Sequence, residues 1–334
     1  MAIKVAINGF GRIGRCVTRL ILGRSDIELV AINDIASIDM MCYLLENDSV
    51  HGSFLGLSVA DDRLIYGDKS IKIFSQRDPQ LLDFASLGVD VVLECSGLFL
   101  TSQSTHHHID KGAKKVIFSA PTKDNTISTY VIGVNEHLYA NEPIISNASC
   151  TTNALAPIAK ILDEHFGIEK GLMSTIHSYT NGQSLIDSPM GSDKRRSRAA
   201  GVNMVPTTTG AAKALSLVLP NLEGKLHGQS VRVPTADVSM VDLTIKLAKK
   251  TSADEINELF RHYSTSSLDG ILEVDDRFRV SSDFIDSSYS SIVASDLTQV
   301  IDGDLAKVMA WYDNEWGYSN RLIEMALYIT STKK

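Results

Sequence analysis

The chain has 334 residues, of which 44% are hydrophobic and 22% charged, and its formal net charge is −8. This length predicts two domains with cores that need no disulfide framework, and the acidic balance argues against non-specific binding to nucleic acid. The sequence shows no secretory pattern, no membrane-length apolar run and no metal-binding cysteine spacing, so we expect a cytoplasmic protein with reduced thiols, no membrane partner and no metal.

The first part of the chain alternates short apolar strands with helical patterns. Strands are predicted at residues 3–7, 29–32, 90–95 and 115–119, and helices at residues 12–23 and 37–46. Strand and helix in alternation favour an α/β domain with a Rossmann-type, doubly wound parallel sheet.

The pattern changes after Cys150. A long helix is predicted at residues 154–165, strands at 172–177, 230–233 and 237–246, and a last helix at 319–330. We therefore expect a second, α+β domain with an antiparallel sheet.

A glycine motif follows the first predicted strand. Gly9, Gly11 and Gly14 have the spacing GxGxxG at the start of a predicted helix, and Asp34 ends the next strand twenty positions later. Such glycines allow a tight turn, close approach of a pyrophosphate and packing of the helix on the strand. Asp34 could hold an adenosine ribose by its two hydroxyls and would repel a 2′-phosphate. The combination favours dinucleotide binding over a glycine-rich turn in some other α/β protein.

One cysteine stands among small polar residues, in the stretch ISNASCTTNALAP. Cys150 lies just before a predicted helix or in its first turn, where the helix amino terminus stabilises a thiolate. His177, after a strand-like segment, is a candidate partner base. Spacing alone does not separate this pair from a buried structural cysteine. For Cys16, Cys42 and Cys95 we expect core packing.

Two clusters have simpler interpretations. The consecutive histidines at 106–108 point in different directions round a helix, which indicates a solvated surface rather than a metal site. The basic run at 194–198 lies in an acidic chain and indicates a solvated or anion-binding loop.

Longer motifs show a resemblance that covers essentially the whole chain. INGFGRIGR, ASCTTN, RAAGVNMVPTTTGAAKA, VRVPT and WYDNEWGYS occur in order and at matching separations. Together they resemble the phosphorylating glyceraldehyde-3-phosphate dehydrogenases. The resemblance implies an NAD-dependent glycolytic and gluconeogenic oxidoreductase that is a homotetramer. It also implies an NAD-binding domain at 1–149, a catalytic domain at 150–314 and a helix at 315–334 that returns to the first domain.

The resemblance further implies covalent catalysis on D-glyceraldehyde 3-phosphate. The Cys150 thiolate would attack the aldehyde to form a thiohemiacetal, and His177 would accept a proton and pair with the thiolate. Hydride transfer to the nicotinamide would leave a thioester, from which inorganic phosphate releases 1,3-bisphosphoglycerate. The Cys150 backbone N–H and His177 would stabilise the oxyanion.

Binding residues are carried over by position. The attacking phosphate would be bound by Ser149, Thr151, Thr209 and Gly210. The phosphate of the substrate would be bound by Thr180, Arg196 and Arg232. The cofactor would be bound by Gly9, Gly11, Arg12, Ile13, Asp34, Arg77, Ser96, Ser119, Asn314 and Tyr318.

The chain departs from the family pattern in the loop at 179–201, which in the family reaches a neighbour's cofactor pocket. Its segment 187–198 is one residue longer than the common bacterial form. This leaves Arg195 and Arg198 open as alternatives to Arg196.

Cofactor choice depends on the same loop. Ser188 stands where relatives have a leucine and would tolerate a 2′-phosphate, whereas Asp34 and Pro189 favour NAD. We predict NAD preference with some NADP use.

Two other functions stay open. The related erythrose-4-phosphate dehydrogenase would hydrolyse the thioester instead of phosphorylating it, and PTTTG at 206–210 favours the phosphorylating enzyme. A binding protein that kept the fold without the chemistry should have lost Cys150 or His177, and both are present.

Overall fold

The structure is a computed structural model that describes residues 2–331. Its contacts divide this part of the chain into two units, the first formed by residues 2–132, 136–149 and 319–331 and the second by residues 133–135 and 150–318. The outermost residues of the predicted domains, residue 1 and residues 332–334, lie outside the described part. None of the helices described combines the length and the apolar character of a bilayer span.

Up to residue 149, the described part of the first unit forms strands and three α-helices. The strands are β1 (Ile3–Asn8), β2 (Ile27–Asn33), β3 (Asn47–Asp48), β4 (Gly52–Ser53), β5 (Leu57–Ala60), β6 (Arg63–Tyr66), β7 (Lys69–Phe74), β8 (Val91–Glu94), β9 (Lys115–Phe118) and β10 (Ile144–Ser146). The helices are α1 (Arg12–Leu22), α2 (Ile38–Glu46) and α3 (Ser102–Asp110).

Eight of these strands form one sheet in the order β10-β9-β8-β1-β2-β7-β6-β5, and β3 pairs with β4 separately. The pairs from β10 to β7 are parallel, whereas β7, β6 and β5 pair antiparallel. All four residues of β8 are buried, as expected for a central parallel strand covered on both faces. The carboxyl ends of β1, β2 and β8 therefore lie side by side at one edge of the sheet.

The second unit contains the remaining strands. They are β11 (Ile168–Ser178), β12 (Val205–Thr208), β13 (Leu226–Val233), β14 (Ser239–Leu247), β15 (Leu272–Asp275), β16 (Ser291–Ala294), β17 (Gln299–Ile301) and β18 (Leu305–Tyr312). The helices are α4 (Cys150–Phe166), α5 (Ala211–Val218) and α6 (Ala253–Ser264). The last helix of the chain, α7 (Trp316–Ser331), begins in this unit, and its residues from Ser319 onward belong to the first.

The second sheet has the order β12-β13-β11-β14-β18-β16-β15, with β17 paired to β18. Most pairs are antiparallel, but β11 with β13 and β15 with β16 are parallel. The predicted two-domain α/β fold is confirmed, and the second sheet is mixed where a purely antiparallel one was expected. Alternation along a strand records which face is buried and carries no information on the direction of its neighbour.

The predicted elements all occur, with ends that differ by a few residues. Among the cysteines, Cys16 is buried as predicted, whereas Cys42 and Cys95 are only half-buried, and all four are free thiols. Burial raises the pKa of Cys95 to about 12, which disfavours the thiolate at neutral pH.

The three consecutive histidines do not share one environment. His106 is exposed, but His108 is completely buried. The expectation of a solvated cluster is wrong for His108, because successive residues of α3 point about 100° apart and this one faces the interior of the first unit.

Candidate active site

Cys150 is the first residue of α4, so the helix begins four residues before the predicted start. Unpaired N–H groups at a helix amino terminus favour an anion there, which suits a thiolate. Burial raises the pKa of the Cys150 thiol, and the positive charge of Arg232 and hydrogen bonds from Thr151 act in the opposite direction. The thiol therefore depends on its neighbours for activation.

His177 near the end of β11 meets the thiol. Its Nε2 lies 3.6 Å from Cys150 Sγ, and its ring is 5% exposed. Burial and the charge of Arg232 lower the pKa of His177 to about 3. His177 is consequently neutral at physiological pH while Arg232 stays beside it.

Arg232 on β13 determines which nitrogen of His177 carries the proton. Its Nη1 lies 2.7 Å from His177 Nδ1 and 2.9 Å from the Ser178 carbonyl oxygen. A guanidinium can only donate, so Nδ1 accepts and the proton is on Nε2, facing the sulfur. The Ser178 oxygen is 2.8 Å from the same Nδ1. The Ser178 oxygen can therefore accept a hydrogen bond from Nδ1–H whenever the imidazole becomes charged.

A tyrosine that the sequence analysis missed joins these elements. The Tyr312 hydroxyl at the end of β18 lies 2.9 Å from Thr151 Oγ1 and 2.8 Å from Thr175 Oγ1. Its ring packs edge-on against His177, with centroids 6.0 Å apart. Tyr312 thus ties the first turn of α4 to β11, the two elements that carry the thiol and the imidazole.

Asn314 is held by its amide oxygen. Oδ1 accepts hydrogen bonds from Ser178 Oγ at 2.9 Å and from Ser239 Oγ at 2.6 Å. Because the oxygen is used within the protein, the amide presents its NH₂ group as the donor for a ligand. Tyr318 lies nearby in sequence, in the first turn of α7, and is buried.

Asp237 is a second residue that the sequence analysis did not identify. It lies just before β14 and is buried, and burial together with the neighbouring Asp313 carboxyl raises the pKa of Asp237 well above its usual range. Its negative charge would oppose the Cys150 thiolate. Keeping Asp237 protonated therefore favours the thiolate.

The arginines of the basic run at residues 194–198 have different partners. Arg198 pairs with Asp187 at the surface, with 2.9 Å between Nε and Oδ2. Arg196 pairs with Asp193, with 3.3 Å between Nε and Oδ2, and donates from Nε to Thr207 Oγ1 of β12 at 3.1 Å. Burial lowers the pKa of Arg232, and repulsion by the Arg196 charge adds to this. Arg232 Nε is buried without a hydrogen-bond partner among the described residues. Two neighbouring guanidiniums with a donor to spare suit an anion.

The remaining residues of the two phosphate sets lie in loops and at helix starts. Thr180 Oγ1 and Arg196 Nη1 are 3.7 and 4.0 Å from the position a Cβ would take at Gly182. Thr209 and Gly210 precede α5, where Thr209 Oγ1 accepts from the Ala211 N–H at 3.2 Å. Ser149 directly precedes α4.

The glycine motif of the first unit forms the tight β1–α1 turn. Gly9 has φ +98°, a conformation that only glycine adopts freely, and a Cβ on Gly14 would collide with the Gly9 carbonyl oxygen. Gly11 precedes α1, and Arg12 and Ile13 open the helix. Arg12 pairs with Asp48. Burial acts to raise the pKa of Asp48, but the guanidinium and backbone N–H groups hold it well below its usual range.

Asp34 is fixed at the carboxyl end of β2. Its Oδ2 accepts from the Phe10 N–H at 2.7 Å and its Oδ1 from the Ala36 N–H at 2.9 Å. Arg77 lines a cavity of about 350 Å³ together with Pro79, Phe99 and His107. An adenosine presents an apolar base and two ribose hydroxyls, and this edge offers a cavity and a carboxylate for them.

Two serines follow strands of the same sheet. Ser96 comes after β8, and its hydroxyl donates to Glu94 and accepts from the Leu98 N–H at 3.1 Å. Ser119 follows β9, with its N–H bound to the Glu94 carbonyl oxygen at 3.0 Å. Apart from Asn314 and Tyr318, the predicted cofactor residues thus all belong to the first unit.

The structure defines a class: a protein that joins a Rossmann-type dinucleotide-binding unit to a mixed-sheet unit with a thiol–imidazole pair. Two family models match the chain. The NAD binding domain of glyceraldehyde 3-phosphate dehydrogenase matches residues 3–102, and its C-terminal domain matches residues 149–314.

Individual relatives agree with these matches. Glyceraldehyde-3-phosphate dehydrogenase 1 of Bacillus subtilis is 48% identical over 98% of both chains. The enzyme of that name from Helicobacter pylori is 50% identical over 98% of this chain and 99% of its own. The chloroplastic form B of Pisum sativum is 52% identical over 97% of this chain and 73% of its own. The chain belongs to the glyceraldehyde-3-phosphate dehydrogenase family.

Proposed function

We propose that the chain oxidises and phosphorylates D-glyceraldehyde 3-phosphate with NAD, yielding 1,3-bisphosphoglycerate in glycolysis and the reverse reaction in gluconeogenesis. The observation that carries this proposal is the 3.6 Å approach of His177 Nε2 to Cys150 Sγ at the start of α4. A thiol so placed can form a thioester, which keeps the energy of aldehyde oxidation for transfer to phosphate.

NAD fits the residues of the first unit. The positive φ of Gly9 opens the turn for a pyrophosphate, Asp34 is oriented for ribose hydroxyls, and Arg77 borders a cavity for the base. The donor NH₂ of Asn314 suits the nicotinamide amide oxygen. When bound, NAD accepts the hydride that the oxidation releases.

Cys150 and His177 carry the covalent steps. The Cys150 thiolate attacks the aldehyde carbon, and the oxyanion is stabilised by the Cys150 backbone N–H and by the Nε2–H of His177. The oxyanion collapses to the carbonyl of the thioester as hydride leaves the same carbon, so His177 keeps its Nε2 proton through this step. A charged imidazole would donate from Nδ1 to the Ser178 oxygen, which lies 2.8 Å away.

Two anion sites serve the two phosphates. Thr180, Arg196 and Arg232 bind the phosphate of the substrate, and Arg196 is supported over Arg195 and Arg198 by its hydrogen bond to Thr207 and by the effect of its charge on Arg232. Ser149, Thr151, Thr209 and Gly210 bind the attacking inorganic phosphate at the amino ends of α4 and α5.

We place the domain boundaries at 1–149 and 150–314, with the helix at 315–334 belonging to the first domain. The functional form is a cytoplasmic homotetramer in this proposal. Leu172 and Leu305 are exposed on the second sheet beside a cavity of about 610 Å³ that is otherwise lined mainly by polar and charged side chains, and these two leucines support subunit contact there.

The proposed preference is for NAD, with minor use of NADP through Ser188. The fixed Asp34 carboxylate would repel a 2′-phosphate, so the specificity constant for NAD should exceed that for NADP by about tenfold or more. Equal specificity constants for the two cofactors would contradict this preference.

The function is tested by following NADH formation with glyceraldehyde 3-phosphate, with and without inorganic phosphate. We expect turnover that requires phosphate or arsenate. Turnover that is independent of both would indicate thioester hydrolysis, as in erythrose-4-phosphate dehydrogenase. A folded protein that binds NAD without turnover would contradict the proposed chemistry.

A further inference from the structure

Polar side chains end three neighbouring strands of the first sheet and bond to one another. Asn8, Asn33 and Glu94 are the last residues of β1, β2 and β8, and all three are buried. Asn33 Nδ2 donates to Asn8 Oδ1 at 2.7 Å, and Asn8 Nδ2 donates to Glu94 Oε2 at 2.5 Å. This hydrogen-bond network crosses the sheet at the edge where the proposed cofactor residues lie.

Glu94 is the central residue of this hydrogen-bond network. Its Oε1 accepts from the Ser96 N–H at 2.9 Å and from the Ser96 hydroxyl, and its Oε2 accepts from Asn8 and from His108 Nε2 at 3.0 Å. Both oxygens of Glu94 are therefore engaged within the protein, with two partners each.

His108 reaches this carboxylate from α3. The ring is 0% exposed, and its Nδ1 is buried without a hydrogen-bond partner in the described chain. The proton is therefore on Nε2, where Glu94 accepts it. Phe84 and Phe99 surround the ring, with centroids 5.7 and 6.2 Å away, and hold it in place.

A buried carboxylate and imidazole are a costly way to stabilise a core. Apolar side chains of similar volume often serve as well or better, since they avoid the desolvation of both polar groups. We therefore expect the pair to hold other groups in position. The groups that Glu94 contacts indicate which part of the molecule is positioned.

The Ser96 turn packs directly on the glycine turn. A Cβ on Gly9 would lie 2.5 Å from Ser96 N, and the Cys95 N–H donates to the Asn8 carbonyl oxygen at 2.7 Å. We propose that Glu94 and His108 are positioning residues for the dinucleotide loop: Glu94 fixes Ser96 against Gly9, and His108 fixes Glu94. This inference rests on the proposed function, in which NAD binds at that loop.

The variants are chosen to separate positioning from stability. Glu94→Gln keeps the shape, but its amide has one acceptor oxygen for four donors. His108→Leu removes the donor, whereas His108→Gln keeps an amide N–H near the position of Nε2. Lys69→Met is the matched control, because Lys69 Nζ caps the end of α1 in the same unit by donating to the carbonyls of Leu22 and Arg24 at 2.7 and 3.0 Å.

The experiment measures the Kd for NAD by calorimetry, the Tm, and the KM for NAD against kcat, all on the full chain. We expect Glu94→Gln and His108→Leu to raise the Kd by about tenfold and to raise KM by a larger factor than they lower kcat. His108→Gln should restore most of the affinity, and Lys69→Met should lower the Tm with an unchanged Kd.

An unchanged Kd for NAD in Glu94→Gln and His108→Leu would overturn the inference. So would a Kd that rises in Lys69→Met as its Tm falls, because the loss of affinity would then follow from lower stability alone. Wild-type turnover with such a result would remove the inference and leave the proposed function standing. A wild-type chain that binds no NAD would overturn both.

Discussion

Arg232 affects both members of the proposed catalytic pair: its charge favours the ionised form of Cys150 and disfavours the ionised form of His177. Burial raises the pKa of the Cys150 thiol and the charge of Arg232 counteracts this, which favours the thiolate. Burial and the same charge together lower the pKa of His177, which disfavours the imidazolium. Phosphate on the substrate would draw on the same guanidinium. In the proposed function, the residue that binds the substrate phosphate therefore also influences the charge state of the resting site.

Replacing Arg232 by Gln should raise the pKa of Cys150, because the thiolate loses its positive neighbour. Below that pKa a higher value means less thiolate, so we expect alkylation by neutral iodoacetamide at pH 7 to slow by about three- to tenfold. Arg198→Gln is the control, since Arg198 pairs with Asp187 at the surface. Equal alkylation rates in wild type and Arg232→Gln would show that Arg232 does not activate the thiol.

At the scale of elements, sequence patterns predicted what depends on local spacing. The central parallel strands are continuous apolar runs, and the glycine motif between β1 and α1 has a fixed spacing, so both were found. The start of α4 was missed because Thr151, Thr152 and Asn153 are poor helix formers, and tertiary burial overrides that preference.

Contacts between distant segments left no such signal. Tyr312 and Thr175 are 137 positions apart, and His108 differs from its exposed neighbours only in the face of α3 it occupies. The resemblance supplied the candidate set of binding residues. It did not supply Tyr312, Asp237, Glu94 or His108, which became visible only as side-chain contacts.

The β1–α1 turn gives a prediction at the same scale. Gly14→Ala should destabilise the first unit by about 2 kcal/mol or more, because its Cβ would collide with the Gly9 carbonyl oxygen. Gly11→Ala is the matched control, since no atom lies within 4 Å of the position of its Cβ. Urea unfolding of both variants tests this, and equal midpoints would contradict the packing described for the turn.

At the scale of the whole molecule, the proposed tetramer accounts for an exposed leucine on the second sheet. Leu172 is 69% exposed there, among the strand residues that line the 610 Å³ cavity. A carboxylate at this position in a subunit interface would lose its hydration, at a cost of several kcal/mol.

Leu172→Asp should therefore shift the protein to smaller species in sedimentation velocity. Leu138→Asp, at an exposed leucine of the first unit, is the control and should leave the assembly unchanged. A Leu172→Asp protein that sediments as the wild type does would place the subunit contact on another surface.

The central claim is that Cys150 carries the substrate as a thioester. In the most direct measurement, the enzyme is mixed with NAD and glyceraldehyde 3-phosphate in the absence of inorganic phosphate and the reaction is quenched with acid. Mass spectrometry of the intact protein and of its peptides then locates the adduct. We predict one 3-phosphoglyceroyl group per chain on the peptide that contains Cys150, its loss on addition of phosphate, and no adduct in Cys150→Ser. An adduct on another residue, or phosphate-dependent turnover by Cys150→Ser at the wild-type rate, would contradict the account.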